Sequence, residues 1–400
     1  MDRELWIIKK SSIESFLLIL VLYILIPPTG LRYILGNIDK INQVFLALIV
    51  VYLIIISITK KKKITTITIL LLLLNSWLAY STFLSKPEYV STAIWNLIRV
   101  VAICLMFEVY NDKINLLIRA YSNFFFSAIF FNFITIVLTY PSGLFTRIGG
   151  SGEYFLGYRN AFVLFFIPAL FFSLLDYYKR KKMNRILSIY GICLASFLIE
   201  KSSTGLVVLI TFIFVFFVIN SNFKIKNSNY TLKKNGINWI FGAYIGMNIA
   251  LLLSNAIFNS KIFSYIVENV LGKTLTLTGR TNIWKVALLM ISSNPIRGYG
   301  IGNNVNVSGT IWYGHNQIIE LLLEGGMVAL ILFGVMIIYL IKKTKQTKIL
   351  AQYKVAIQVM SMLFIFFLTE ANTLQYFVPI YVLIANFEEY SEKTLGSKCR

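Results

Sequence analysis

The sequence predicts an all-α protein that spans a membrane about twelve times. Of its 400 residues, 57% are apolar and only 14% are charged, whereas soluble domains carry about 45–50% and about 25%. The mean hydropathy of the chain is +0.73. The apolar residues come in blocks of roughly 15 to 25, which is the length of helices that cross a bilayer. These observations favour one polytopic membrane domain over residues 1–400 rather than two or three soluble domains.

Twelve apolar blocks are the predicted spans, although several are shorter than the roughly 20 residues that a bilayer requires. In chain order they are 13–26, 41–58, 64–84, 90–110, 117–140, 160–175, 186–199, 205–219, 237–258, 316–341, 355–368 and 374–387. The first block lacks a small-residue cleavage site and is followed by Pro27 and Pro28. It is therefore predicted to remain as a span rather than to be removed as a signal peptide.

The basic residues indicate how the spans are oriented. The chain has 38 Lys and Arg against 17 Asp and Glu, a formal net charge of +21. The lysines cluster in alternate loops, as at 60–63, 179–182 and 342–354. This is the positive-inside pattern, which predicts that both termini are cytoplasmic. Because the charge follows the loops of a membrane protein, no binding to nucleic acid is expected.

Metal and cofactor chemistry is not expected from the residue inventory. The chain has three cysteines and one histidine. These are too few for a disulfide framework or for a zinc site made of His and Cys. The acids assigned to the outer side are scattered and have no paired spacing, so a metal-dependent transferase is not predicted either.

One outside segment, residues 259–315, is too long for a plain connection and is predicted to hold the active site. Apolar residues at positions 284, 287, 288 and 291 follow the spacing of an amphipathic helix. Thr281 is the predicted N-cap of this helix, and Pro295 is predicted to end it. We expect the helix to lie along the membrane surface and to lead through a glycine-rich turn at 297–302 into the tenth span.

His315 and Arg280 are the main candidates for chemistry. His315 stands at the outer mouth of the tenth span, where an imidazole can take a proton from a hydroxyl group. Arg280 directly precedes the predicted helix, so its guanidinium and the helix N-terminus could hold the same phosphate. The alternatives are a histidine with a structural hydrogen bond and an arginine in contact with solvent or lipid headgroups.

Four further residues are candidates for contact with substrate. Arg297 begins the glycine-rich turn, whose amides either approach an anion or form a tight turn without a ligand. Arg159 ends a second glycine-rich outside segment and would face an anionic ligand or a lipid headgroup. Asn316 and Glu320 share a helix face. They would orient His315 or an acceptor sugar, or else they form a polar helix start.

Arg99 is predicted well inside the fourth span, about 13 Å below its outer end. A charge at that depth is costly and is normally paired. The predicted partners are acids near the outer half of the membrane: Glu200, Glu320, Glu324 and Glu370. Arg99 is either part of a functional site or one half of an ion pair that holds helices together.

Two strings resemble the signature of the O-antigen polymerase and O-antigen ligase family of bacterial membrane glycosyltransferases. They are TLTGRTNIWKVALLMISSNPIRGYGIGN and WYGHNQIIELLLEGGMVALILF, and the resemblance covers residues 274–332. It implies a fold similar to the C-type integral-membrane glycosyltransferases and a location in the bacterial plasma (inner) membrane. The implied activity is metal-independent transfer of a glycan from a polyprenyl-pyrophosphate carrier, such as undecaprenyl pyrophosphate, on the external or periplasmic face.

The resemblance also implies roles for single residues. By position, His315 looks like the residue that activates the acceptor hydroxyl, and Arg280 looks like one that holds the pyrophosphate. Arg297 and Arg159 fall in segments where polymerases of the family carry functional arginines. Many ligases have a Ser-Arg-Gly-like motif where this chain has KSSTG at 201–205. Lys201 would supply a point charge there instead of a planar fork.

The sequence thus favours a polysaccharide polymerase that builds O-antigen, capsule or exopolysaccharide from lipid-linked repeat units, with inversion at the anomeric carbon. A ligase that transfers the glycan to a terminal acceptor is the alternative within the class. A flippase or transporter of lipid-linked sugars is the alternative outside it. Expected partners are the polyprenyl-pyrophosphate-linked oligosaccharide, the lipid bilayer, and a chain-length regulator and a flippase of the same pathway.

Overall fold

The computed structural model describes residues 2–34, 38–146, 152–181, 183–220, 231–252, 280–302, 305–307, 310–371 and 374–394. The helices are α1 (Asp2–Leu25), α2 (Thr29–Ile34), α3 (Ile38–Thr59), α4 (Thr66–Ser85), α5 (Val90–Val109), α6 (Ile114–Thr139), α7 (Phe162–Arg180), α8 (Asn184–Ile199), α9 (Ser203–Asn220), α10 (Thr231–Leu252), α11 (Arg280–Ser293), α12 (Gln317–Gln346), α13 (Leu350–Thr369), α14 (Val378–Ala385) and α15 (Phe387–Thr394). Two antiparallel hairpins join β1 (Phe145–Thr146) to β2 (Gly152–Glu153) and β3 (Val305–Val307) to β4 (Thr310–Trp312).

The all-α membrane architecture is confirmed. Eight helical stretches of the described residues are long and apolar enough to cross a membrane: Asp39–Thr59, Thr66–Ser85, Pro87–Val109, Asn111–Thr139, Arg159–Tyr178, Ser203–Asn220, Gln317–Gln346 and Leu350–Thr369. The first, seventh and ninth predicted spans coincide with shorter apolar helices, Ser12–Leu25, Asn184–Ile199 and Gly236–Leu251. Eleven of the twelve predicted blocks therefore overlap one helix each. Residues 253–258 of the ninth block lie outside the described residues, and the tenth block lies on α12, which is broken at Gly326.

The twelfth predicted span is wrong as a continuous helix. A 3-10 turn at Leu374–Tyr376 leads into α14, which ends at Ala385. The next residue is Asn386, whose Nδ2 donates to the Val382 carbonyl (2.9 Å). Pro379 lies in the first turn of α14, where the missing amide breaks no helical bond. Every residue of α14 is buried. Its apolar run therefore reflects the protein interior, and eight residues are too few to cross a bilayer.

The burial of the spanning helices separates central from peripheral ones. In the most apolar stretch of α7 and of α13, 83% and 72% of the residues are buried inside the protein, so these two helices are central. In α3 only 17% is buried, and its exposed residues include Val44, Leu48 and Ile55. An exposed apolar surface of this extent is suited to lipid rather than to water.

Two lysine contacts identify one end of the helix bundle. Lys62 Nζ lies 2.9 Å from Asp112 and joins the α3–α4 connection to the α5–α6 connection. Lys354 Nζ donates to Asn220 Oδ1 (3.0 Å), where α13 begins and α9 ends. The other end holds the connections that precede α7, α9 and α12 and the end of α13. The sequence-predicted active-site residues lie at that second end.

The predicted amphipathic helix is present as α11. Its buried face packs against β3 and α12 through Ile283, Trp284, Ala287, Val305, Ile319 and Leu323. The helix begins at Arg280, so Thr281 is inside it and is not the N-cap that the sequence predicted. It ends two residues before Pro295, as expected. The first part of the predicted long segment, residues 259–279, lies outside the described residues.

Candidate active site

Glu370, which directly follows α13, is the centre of the candidate site. Its side chain is only 3% exposed. Oε1 accepts hydrogen bonds from Asn160 Nδ2 (2.7 Å) and Arg280 Nη2 (2.9 Å). Oε2 accepts one from the Tyr313 hydroxyl (2.5 Å) and lies 3.4 Å from His315 Nδ1. The structure therefore brings Arg280 and His315 onto the two oxygens of one carboxylate.

The charge state of this cluster follows from its contacts. Burial by itself would raise the pKa of Glu370, but hydrogen bonding from His315 and the charge of Arg280 outweigh burial and lower the pKa below its ordinary value. Glu370 is consequently ionised at neutral pH. Burial, followed by the nearby charge of Glu370, raises the pKa of Tyr313. The Tyr313 hydroxyl therefore keeps its proton and donates a hydrogen bond to the carboxylate.

Arg280 is held at the first turn of α11 by two bonds. Nη1 donates to the Thr369 carbonyl (2.6 Å) and Nη2 to Glu370. A guanidinium has five N–H donors, so these contacts use two of them. The side chain is 17% exposed. The remaining donors, together with the N-terminus of α11, are suited to an anion such as a phosphate.

The loop before α12 is clamped so that it presents His315. Trp284 Nε1 donates to the Gly314 carbonyl (2.8 Å), and the Gly314 amide donates to Glu320 Oε2 (2.6 Å). His315 itself has a left-handed backbone, with φ of 49°. Non-glycine residues adopt this conformation only where the surrounding structure imposes it. Glu320 thus binds the backbone amide of the residue that precedes His315. The imidazole of His315 lies against the Tyr313 ring, with ring centroids 3.8 Å apart.

Asn316 begins α12 and links it to α10. Its Oδ1 accepts from the amides of Ile318 and Ile319 (2.9 and 3.2 Å), which satisfies two donors of the first turn. Its Nδ2 donates to Asn248 Oδ1 (2.8 Å). The Asn316 side chain is buried, and these bonds are to other groups of the protein. Asn316 directly follows His315, so these bonds hold the chain next to the strained histidine.

Several helix starts converge on the site. Asn316 caps α12, and Ser202 Oγ accepts from the Gly205 amide in the first turn of α9 (3.3 Å). Arg280 begins α11, and Asn160 lies in the 3-10 turn before α7. Each helix N-terminus has a partial positive charge. This end of the bundle therefore favours a bound anion beyond what Arg280 provides.

Arg159 and Lys201 line a separate open pocket with a volume of about 260 Å³. Arg159 Nη1 donates to the Glu200 carbonyl (3.3 Å). The Tyr154 hydroxyl donates to the Glu200 side chain. Burial raises the pKa of Glu200, although the bond from Tyr154 opposes that shift. Lys201 is exposed, in a left-handed conformation with φ of 51°.

The glycine-rich turn at 297–302 is anchored on the protein itself. The amides of residues 299 and 300 donate to the carbonyls of Leu323 and Glu324 (2.7 and 2.8 Å). The amide of residue 301 donates to Thr82 Oγ1 (2.9 Å). These three amides are already bonded within the protein, which favours the second of the two alternatives, a tight turn without a ligand. Arg297 lies at the start of this turn and is exposed.

Arg99 is buried on α5, and its Nη1 lies 3.4 Å from Asn96 Oδ1, one turn earlier. Glu370 accepts one further hydrogen bond, from Thr204 Oγ1 to Oε1 (3.5 Å), besides the contacts given above. Glu370 was expected only as one of four possible partners for Arg99. Its central position was missed, although an acid directly after an apolar span is a functional signal in a membrane protein.

The fold and the site together define a class: an all-α integral membrane protein with a buried network of His, Glu and Arg at one end of its helices. Residues 152–334 match the family model described as O-Antigen ligase, which supports the resemblance to the O-antigen ligase and polymerase family. The match includes Arg280 and His315 and ends before Glu370. It indicates an activity of the O-antigen ligase or polymerase type. No curated protein matches the chain.

Proposed function

We propose that this protein is a polysaccharide polymerase that uses a polyprenyl-pyrophosphate-linked glycan as donor and the next lipid-linked repeat unit as acceptor. The observation that carries the proposal is the position of Arg280 and His315 on the two oxygens of Glu370. A cation for the leaving pyrophosphate and a base for the acceptor hydroxyl are thus held by one buried carboxylate. Both residues lie within the segment that matches the family model.

The proposed step is a direct displacement at the anomeric carbon of the donor. The acceptor hydroxyl loses its proton to His315, and its oxygen forms the new bond to the anomeric carbon. The bond from that carbon to the phosphate oxygen breaks, and its electron pair leaves with the pyrophosphate. Since a pyrophosphate leaves without protonation, one base and several cations are sufficient, and the configuration at the carbon is inverted.

Glu370 has a positioning role in this step. The contact from Nδ1 of His315 to Glu370 leaves Nε2 as the nitrogen that meets the acceptor hydroxyl. The ionised carboxylate stabilises the imidazolium that forms when the proton is taken. On its other oxygen Glu370 fixes one edge of the Arg280 guanidinium. The base and the anion-binding group therefore keep a constant separation.

We place the site on the external face of the bacterial plasma membrane. The positive-inside rule puts lysine-rich loops in the cytoplasm. Lys62 and Lys354 lie at the end of the bundle opposite to Glu370. With this orientation, Arg280 and His315 face the compartment in which lipid-linked repeat units are joined.

A reaction with purified protein tests the proposal. The protein is placed in nanodiscs with synthetic lipid-linked repeat units, and the products are separated by size. We expect a ladder of products from the wild type. His315→Ala should lower the rate by about 10²–10⁴-fold, the usual contribution of a general base, and Arg280→Ala should also abolish the ladder. Arg119→Ala is the matched control because Arg119 is an exposed arginine near the start of α6, at the opposite end of the bundle.

The alternatives give different results in the same assay. A single transfer to a terminal acceptor, without a ladder, would establish a ligase instead of a polymerase. An undiminished ladder from His315→Ala would overturn the catalytic role of the histidine. No product in nanodiscs, together with transport of the lipid-linked unit by the same protein in closed proteoliposomes, would identify a flippase.

A further inference from the structure

The pocket beside Glu200 has no role in the displacement step proposed above. It is open to the surroundings, has a volume of about 260 Å³, and lies between the connection before α7 and the α8–α9 turn. Its lining includes Tyr140, Tyr158, Arg159, Glu200 and Lys201. Pockets for drug-sized ligands begin at about 300 Å³. This one therefore has room for a single small ring, with the rest of a longer ligand outside.

The Glu200 side of the pocket is fixed by contacts from two chain segments. The Tyr154 hydroxyl donates to the Glu200 carboxyl, and Arg159 donates to the Glu200 carbonyl. Lys201 follows in a left-handed conformation that a lysine adopts only at a cost. The turn is held by backbone bonds from the amides of residues 201 and 202 to Leu198 and Phe197 (3.3 and 2.9 Å). A rigid, strained turn thus presents a carboxyl and an ammonium group to one cavity.

The chemistry of the lining is suited to a neutral polyol. Sugar hydroxyls can donate to Glu200 and accept from Arg159 and Lys201, and the flat faces of tyrosine rings can contact the C–H face of a sugar. Tyr140 is 50% exposed and available for such a contact. A phosphate would meet the carboxyl of Glu200 beside the two cations. The mixed lining therefore favours a saccharide over a pyrophosphate.

The pocket is connected to the active site through two adjacent residues. Asn160 directly follows Arg159, and Ser202 directly follows Lys201. Ser202 Oγ donates to Asn160 Oδ1 (3.2 Å), and Asn160 Nδ2 donates to Glu370. One glycan can therefore occupy the pocket while its reacting end lies near Glu370.

We infer that this pocket is a saccharide subsite that binds one sugar residue of the lipid-linked glycan, with Glu200, Arg159 and Lys201 as its polar contacts. The inference rests on the proposed function and adds to it a place for the sugar, distinct from the place for the pyrophosphate. It assigns Arg159 and Lys201 to sugar hydroxyls rather than to an anionic ligand or a lipid headgroup. The sugar can belong to the donor or to the acceptor.

Binding measurements with two separate probes test the inference. The probes are the oligosaccharide repeat unit without its lipid and inorganic pyrophosphate, titrated into wild-type protein in nanodiscs. Glu200→Gln should weaken oligosaccharide binding about tenfold, the effect of one lost hydrogen bond to a charged group, and should leave pyrophosphate binding unchanged. Arg280→Ala should show the reverse pattern. Glu88→Gln is the control because Glu88 is an exposed acid at the same end of the bundle, between α4 and α5.

A second variant separates binding from folding. Lys201→Gly removes the ammonium group but suits the left-handed backbone, so its melting temperature should not fall while oligosaccharide binding weakens. Loss of pyrophosphate binding in Glu200→Gln and Lys201→Gly, with oligosaccharide binding retained, would overturn the inference and make the pocket an anion site. Unchanged binding of both probes in both variants would also overturn it.

Turnover measurements distinguish this inference from the proposed function and identify the source of the sugar. Wild-type protein that binds the oligosaccharide but forms no ladder would refute the polymerase and retain the subsite. A ladder with unchanged KM values in Glu200→Gln would refute the subsite and retain the polymerase. A higher KM for the acceptor alone would place the acceptor sugar in the pocket, and a higher KM for the donor alone would place the donor sugar there.

Discussion

Glu370 shows how a single buried acid organises the site. A carboxylate that is 3% exposed is costly to bury unless its oxygens are fully bonded. Here Asn160, Arg280 and Tyr313 donate to it, and His315 lies beside it. These bonds stabilise the charge, and the same bonds fix the groups that we propose for catalysis. Stability and function therefore depend on the same atoms at this position.

The first prediction concerns Glu370→Gln and pH. The lowered pKa of Glu370 means that its ionised form stabilises the folded state above the pKa of an unfolded glutamate, about 4.3. That stabilisation is lost as the pH falls through the lower pKa of the folded state. Loss of one partner of a buried charge pair costs about 3–5 kcal/mol. We expect the difference in melting temperature between wild type and Glu370→Gln to be largest near neutral pH and to shrink below pH ~4.

Melting curves of the detergent-solubilised wild type and Glu370→Gln, recorded across pH, test whether the difference in melting temperature shrinks on acidification. Glu388→Gln is a suitable control because Glu388 is an exposed acid on α15. A difference that stays constant or grows on acidification would mean that Glu370 is not held ionised by its partners.

The second prediction separates the two roles of Asn316: its Oδ1 caps α12, and its Nδ2 donates to Asn248 and to the Leu368 carbonyl. Asn316→Ala removes the helix cap, at a cost of about 1 kcal/mol, and also the bond to Asn248, at a similar cost. Asn316→Ser keeps a capping hydroxyl but is too short to reach Asn248. We expect the serine variant to lose about half as much unfolding free energy as the alanine variant. Equal losses would show that the cap contributes nothing.

At the scale of elements, the break in α12 explains the paired glycines of the sequence. Gly326 lies inside α12 with φ of 61° and ψ of −159°. The amides of residues 327 and 328 donate to the carbonyls of Pro295 and Ile296 (2.8 and 3.4 Å) instead of continuing the helical pattern. Trp77 of α4 adds a bond from Nε1 to the carbonyl of residue 325 (2.7 Å). The glycine pair and the glycine-rich turn therefore form one joint between α4, α11 and α12.

The third prediction tests this joint with two glycines of the same helix. A Cβ on Gly326 would lie 2.3 Å from the Ile296 carbonyl group, and the positive-φ backbone, which is essentially restricted to glycine, adds about 1–3 kcal/mol. Gly334 lies further along α12, with nothing within 4 Å of an added Cβ. We expect Gly326→Ala to lower the melting temperature and Gly334→Ala to leave it unchanged or raise it slightly, because alanine favours a helix interior. Equal effects of the two variants would show that the break is not required.

For the whole molecule, the sequence predicted what depends on local pattern. The helices follow the apolar blocks closely, because in a membrane the backbone N–H and C=O groups of each block must form hydrogen bonds within that block. The last block failed because an apolar run of that length is equally typical of a buried core helix, and only the surrounding helices decide between the two. Composition alone does not show which apolar residues face lipid.

The residues of the candidate site also divide into those that local sequence patterns could predict and those that only the packing of distant helices brings together. Arg280 and His315 could be found because they lie in short strings with a recognisable pattern. Glu370 could not be placed, because it meets Asn160 across 210 residues of sequence and Arg280 across 90. Such contacts arise from the packing of α7, α11 and α13, which no local spacing indicates. The same reasoning explains why the sequence left two alternatives open for the amides of the glycine-rich turn, two of which donate to carbonyls of α12.

The last prediction concerns the orientation of the whole molecule. In a variant without Cys399, the described cysteines Cys104 and Cys193 are buried and provide an unreactive background. Glu88→Cys lies in an exposed turn at the same end as Glu370, and Lys63→Cys is exposed at the lysine-rich end. Because lysine-rich loops remain in the cytoplasm, a membrane-impermeant maleimide should label Glu88→Cys in intact spheroplasts. It should label Lys63→Cys only after permeabilisation. The opposite labelling would place Glu370, Arg280 and His315 on the cytoplasmic side, where the proposed external polymerisation could not occur.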